Sequence, residues 1–100
     1  MLVRIGSAAD VTAGEMRVVS VAGTAVNVSS ADGRLYAFDD TCPHAGCSLG
    51  DGELDGTTVT CPCHGSQFDV RSGAVVRGPA GEPVRSRAVT VEGVDLLIEA

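Results

Sequence analysis

One hundred residues, 44% of them apolar, are enough for one domain with one core, and no apolar run reaches the roughly 18–20 residues of a membrane span, so no bilayer-crossing segment or anchor is expected. Thirteen acids face seven Arg and no Lys, a net charge of −6, which sets the surface against nucleic-acid backbones and anionic membranes. With no Trp, one Tyr and two Phe, the core falls to Ala, Val, Leu and Ile, and thirteen Gly with four Pro favour turns over long helices. The opening Met1-Leu2-Val3-Arg4-Ile5-Gly6 lacks the apolar stretch of a secretion signal, so the expected location is the cytoplasm.

Along the chain, short runs of alternating apolar residues recur between turn dipeptides, and no long segment shows helical periodicity. Strands are expected near 2–5, 16–21, 24–29, 34–39, 53–55, 57–61, 67–70, 74–76, 84–91 and 94–99, with a single helical turn in Ala8 to Ala13. Ala22-Gly23, Asp32-Gly33, Asp51-Gly52, Asp55-Gly56, Ser72-Gly73 and Glu92-Gly93 punctuate them. Asp-Gly suits hairpins because Gly accepts positive φ and Asp tolerates it. Many short strands with close turns predict an all-β antiparallel sandwich or barrel. The chain reads as a single domain over 1–100, with a smaller subdomain inserted at about 40–80.

All four Cys and both His lie between positions 42 and 64. Stray surface His and scattered core Cys do not concentrate in this way, so the chain has one chemical site. Its first half is Cys42-Pro43-His44-Ala45-Gly46-Cys47 and its second is Cys61-Pro62-Cys63-His64-Gly65-Ser66, with sixteen residues between His44 and Cys61. Each half offers one Cys and one His at close spacing plus a spare Cys. Three chemistries are compatible. One is a structural zinc ion on two Cys and two His. Another is a [2Fe–2S] centre with two Cys on one iron and two His on the other. The third is a disulfide scaffold without metal. Zinc fingers usually pair Cys with Cys and His with His, whereas each loop here mixes the two in the same order, a mixture that a binuclear centre with unlike ends explains and that zinc does not need.

Cys-x-His, sixteen residues, then Cys-x-x-His resembles the Rieske iron–sulfur motif, and Gly65, Ser66 and the Gly78-Pro79 step fall where that family covers its cluster. The resemblance runs from the strand at 34–39 to the end. It implies a Rieske-like β sandwich with a small cluster-binding subdomain and one [2Fe–2S] cluster. Cys42 and Cys61 would bind the inner iron. His44 and His64 would bind the outer, electron-accepting iron at the surface. Neutral His ligands make reduction easier, at about −150 to +300 mV against about −400 mV for plant-type all-Cys ferredoxins. The Rieske proteins of cytochrome bc complexes carry a Cys pair matching Cys47 and Cys63 that forms a disulfide between the loops. In the bc-type pattern the hydroxyl matching Ser66 bonds a bridging sulfide. Phe68 departs from that pattern, standing where high-potential members carry a Tyr that donates to a ligand thiolate. Pro79 would cover the cluster edge.

The resemblance extends to the soluble Rieske ferredoxins of aromatic-ring dioxygenase systems. It implies a monomeric one-electron carrier between a flavin-dependent reductase and a terminal oxygenase, with no nucleic acid or membrane among its partners. The alternative is a small electron-transfer subunit of a reductase complex, such as an assimilatory nitrite reductase. A Rieske oxygenase itself needs a mononuclear iron on two further His and a carboxylate, and this sequence has no further His.

Overall fold

Val19, Val21, Val26, Val28 and Ala37 point to one side of three neighbouring strands, and Met16, Val18, Asn27, Ser29 and Phe38 point to the other, because successive residues of a strand face opposite ways. That alternation organises the molecule. A computed structural model gives the positions of residues 1–43 and 46–100. Eleven strands run through these described residues: β1 (Leu2–Ser7), β2 (Met16–Val21), β3 (Thr24–Ala31), β4 (Arg34–Asp39), β5 (Glu53–Asp55), β6 (Thr58–Thr60), β7 (Gln67–Asp69), β8 (Val75–Arg77), β9 (Ser86–Arg87), β10 (Val89–Glu92) and β11 (Asp95–Glu99). They form three antiparallel sheets in the orders β1-β11-β10, β2-β3-β4-β9 and β5-β6-β7-β8. The all-β class expected from the sequence is the class observed.

The sheet β2-β3-β4-β9 is the wall between two cores. On one side Val21, Val26, Val28 and Ala37 pack with Val11, Leu96 and Ile98 into an aliphatic base. On the other, Ala31 and Phe38 pack with Leu49, Val59, Phe68, Val70, Ala80, Val84, Cys42 and Cys61. Both Phe are fully buried there, so the few aromatic residues are spent under the Cys-bearing loops.

The expected strand at 84–91 is two strands. β9 pairs with β4, whereas β10 pairs with β11 in the other sheet, so the chain changes sheets at Ala88. Its backbone there bonds Glu99, whose N–H donates to the Ala88 carbonyl at 3.0 Å. Arg87 pins the corner: its Nε meets Asp39 Oδ1 at 2.6 Å and its Nη1 donates to the Glu99 carbonyl at 2.9 Å. The first strand runs on to Ser7 through an irregularity between Arg4 and Gly6. The expected turn after it is a 3-10 helix, Ala8–Asp10, capped by the reciprocal bonds of Ser7 and Asp10. A second 3-10 helix, Leu49–Asp51, was not expected. Asp32-Gly33 closes β3 onto β4 with positive φ at both residues, the hairpin conformation that this dipeptide favours.

Candidate metal centre

Two loops carry the Cys and His residues, and their backbones repeat one hydrogen-bond pattern. The chain leaves β4 and enters the first loop at Cys42, whose N–H donates to the Cys47 carbonyl at 2.8 Å and whose carbonyl accepts from Gly46 at 2.8 Å. It leaves β6 and enters the second at Cys61, whose N–H donates to the Ser66 carbonyl at 2.8 Å and whose carbonyl accepts from Gly65 at 3.1 Å. In both loops the residue four places after the Cys is a Gly with φ near the left-handed region, +72° at Gly46 and +76° at Gly65. A side chain would strain either position. The two Cys thus open near-identical turns. Their thiols are free, and both residues lie in the core beneath, 1% and 2% exposed.

Cys47 and Cys63 are disulfide-bonded across the two loops, with their Cα atoms 6.5 Å apart. Only Cys42 and Cys61 therefore remain as thiols. His64 lies exposed on the second loop. His44, the partner expected on the first, lies outside the described residues. Thiols at depth and imidazole at the surface suit a centre that spans the two levels. The donor set fits a [2Fe–2S] group of mixed ligation and leaves too few thiols for a four-Cys cluster.

Ser66 is fully buried, and its hydroxyl oxygen accepts from the Ala80 N–H at 3.0 Å. This bond ties the second loop to the segment 78–80, whose Gly78-Pro79 peptide is cis and whose Pro79 is exposed. With an N–H on its lone pair, the hydroxyl keeps its proton to give. Phe68 sits on β7 opposite Val59, wholly inside the core that contains both free thiols.

Sequence reasoning missed the brace under the first loop. Asp40 is 2% exposed, and its carboxylate accepts from Asn27 Nδ2 at 3.1 Å, from the Gly50 N–H at 2.8 Å and from the Ser48 hydroxyl. Asn27 is itself buried, accepts from the Ser29 hydroxyl at 2.8 Å and donates to Met16 Sδ at 3.3 Å. The signal was present in β3, where Asn27 and Ser29 alternate with Val26 and Val28. Polar residues on that face have their own partners rather than solvent.

Beside the second loop a cleft is lined by Asp51, Gly52, Glu53, Thr60, Cys61, Pro62 and Gly65, so carboxylates flank an otherwise uncharged loop. Farther off, the Arg71 guanidinium forks onto Asp69 at 3.0 and 2.8 Å. These bonds, helped by the Arg71 N–H and the Arg71 charge against the opposing effect of burial, hold the Asp69 carboxyl below the usual carboxylate range.

The chain is 39% identical to the ferredoxin component of the p-cumate 2,3-dioxygenase system of Pseudomonas putida, over 98% of this chain and 85% of that one. It is 33% identical to the Sphingomonas yanoikuyae B1 ferredoxin, with a TM-score of 0.93 over 100% of this chain and 99% of that one. It superposes with a TM-score of 0.91 on a chain from the complex of reduced oxygenase and oxidized ferredoxin in carbazole 1,9a-dioxygenase, at 31% identity, covering 97% of this chain and 91% of that one. A likeness to a nitrite reductase (NADPH) small subunit, TM-score 0.84 at 20% identity, shows the fold alone. The Rieske [2Fe-2S] domain family matches residues 1–90. With its loops, its donor set and this match in accord, the chain belongs to the Rieske [2Fe-2S] domain family.

Proposed function

We propose that the protein is a one-electron carrier that takes electrons from a flavin-dependent reductase and delivers them to a terminal oxygenase of a dioxygenase system. The observation that carries this reading is the pair of matching loops. They present two buried thiols, are joined by a disulfide, and leave His64 at the surface. Cys42 and Cys61 hold the inner iron, and His44 and His64 hold the outer iron. When bound, the cluster supplies a site that gains and loses a single electron. The chain's own part is to bury the thiolates, to clamp the loops so that the site reorganises little, and to expose imidazole where a partner docks. Ser66 would offer its hydroxyl to a bridging sulfide, Pro79 would cover the cluster edge, and Phe68 fills the core beneath.

Relatives support the partners: one is a component of a p-cumate dioxygenase system and another is seen in complex with an oxygenase. We read the chain as one domain over 1–100, monomeric and cytoplasmic, with a cluster-binding part at about 40–80 set on the base. No helix among the described residues is long and apolar enough to cross a membrane. The alternative of a tightly held reductase subunit has only a fold likeness behind it.

Electron paramagnetic resonance of the reduced, reconstituted protein tests the ligand set. A rhombic signal with an average g below that of all-Cys clusters is expected, and zinc would give none. Substituting His44→Ala or His64→Ala should abolish that signal. A His44→Ala protein with an unchanged spectrum refutes the assignment. Size-exclusion chromatography with a reductase and an oxygenase then separates a transient carrier from a fixed subunit.

A further inference from the structure

Asp40 is a buried carboxylate that electron transfer as described does not use. None of the three ion pairs among the described residues includes it. Uncharged donors hold it: Asn27 Nδ2 and the Gly50 N–H share Oδ1, and the Ser48 hydroxyl meets Oδ2. Its backbone is fixed as well, N–H to the Ala25 carbonyl at 3.0 Å and carbonyl to the Leu49 N–H at 2.9 Å. Burying a charge without a counter-charge is costly. An Asn in its place would serve as a brace without that cost. Its Oδ1 would keep both donors and its amide would donate to Ser48, whose hydroxyl can accept instead. A brace alone therefore does not call for a charge here.

What the charge does follows from where it lies. Cys42 is two residues on, and both are almost fully buried. Charges in such surroundings are weakly screened. We propose that Asp40 sets the reduction potential of the centre, its carboxylate holding the potential down. The proposal rests on the reading of Cys42 as an iron ligand. One electron arriving from a reductant would add negative charge to a centre whose ligand Cys42 is two residues from the carboxylate, and like charges repel, so the reduced state is disfavoured. No bond forms or breaks and no proton need move.

Redox titration of the reconstituted protein, followed by visible absorption, tests this with Asp40→Asn and Ser48→Ala. Asp40→Asn should raise the reduced-to-oxidised ratio at a fixed potential about tenfold, a rise of about 59 mV in midpoint. The resonance g values should stay, because the ligands are unchanged. Ser48→Ala removes a donor that offsets the carboxylate and should move the ratio the other way, about two- to threefold. A purely structural brace predicts no such opposition of sign. An unmoved or lowered midpoint in Asp40→Asn overturns the proposal. If Asp40→Asn does not retain the centre, Ser48→Ala decides: a fall supports the proposal, and a rise or no change overturns it. A parent protein without a Rieske signal overturns the ligand reading instead, so the two failures are distinguishable.

Discussion

The Ala80 N–H meets the Ser66 hydroxyl oxygen at 3.0 Å, and both residues are buried. One side chain thereby joins the second Cys-His loop to the segment behind it. Substituting Ser66→Ala strands a buried N–H, which costs about 1–3 kcal/mol. Chemical denaturation should show that loss, and amide exchange at Ala80 should accelerate. The same change removes the hydroxyl that would donate a hydrogen bond to a cluster sulfide, so the midpoint potential should also fall. A variant with unchanged stability and unchanged potential would remove both roles from Ser66.

Phe68 tests the same electrostatic logic from the core side. It is fully buried in the cluster of side chains that contains Cys42 and Cys61. Phe68→Tyr offers a hydroxyl to a ligand sulfur at nearly equal volume. A net hydrogen bond is about 1 kcal/mol and tenfold in a one-electron equilibrium is about 59 mV, so a fraction of one bond predicts a rise of about 20–40 mV. Protein-film voltammetry at pH 7 reads it. No rise means the ring edge at 68 does not face a ligand sulfur.

Cys47 and Cys63 stand sixteen positions apart, and their bond closes a loop that contains Cys61, with Cys42 and His64 just outside it. A link closing a loop of this size contributes about 2–3 kcal/mol. Denaturing the metal-stripped protein without reductant should expose two thiols. Four would mean the pair is open in solution. Replacing both residues by Ser should hasten bleaching of the visible spectrum by a chelator several-fold, with the far-ultraviolet β signal retained.

Asp69 gives the pH dependence. Arg71 holds its carboxyl below the ordinary range, chiefly by side-chain hydrogen bonding. A carboxyl lowered on folding contributes stability that is present above its unfolded pKa and is lost as pH falls through its folded one. In Arg71→Ala, carbon-detected magnetic resonance should find Asp69 titrating at higher pH, nearer the ordinary carboxylate value. The acid limb of the stability profile should flatten accordingly. An unmoved Asp69 midpoint would deny the pairing in solution.

Much of this architecture was legible because it is local. Alternating Val26 and Val28, Tyr36 and Phe38, and Leu96 and Ile98 announce strands, and the Gly-bearing dipeptides announce their turns. The two Cys-His boxes announce the centre. The sheet change at Ala88 was illegible because Val84 to Val91 reads as one strand with no Gly or Pro to break it, and its division depends on two separate partners, β4 and β11. Asp40 was illegible for a similar reason. Its neighbours Asn27, Ser48 and Gly50 meet it only after β3 and the first loop come together. A polar residue's role cannot be read from sequence while its partners are distant in the chain.

Ala37 and Phe38 adjoin in sequence yet serve different interiors, the aliphatic base and the thiol-bearing core. Asp39 and Asp40 repeat the division, one reaching Arg87 and the other the first loop. Iron loss would empty only the interior to which Cys42 and Cys61 belong, because the base contains no proposed ligand. Hydrogen exchange on the apoprotein should therefore divide the molecule unevenly. Amides near Leu96 and Ile98 should stay slow while those near Val59 and Phe68 become fast, with a boundary along a single strand, β4. The half that carries electrons and the half that keeps the chain folded would then share one backbone but melt as separate bodies.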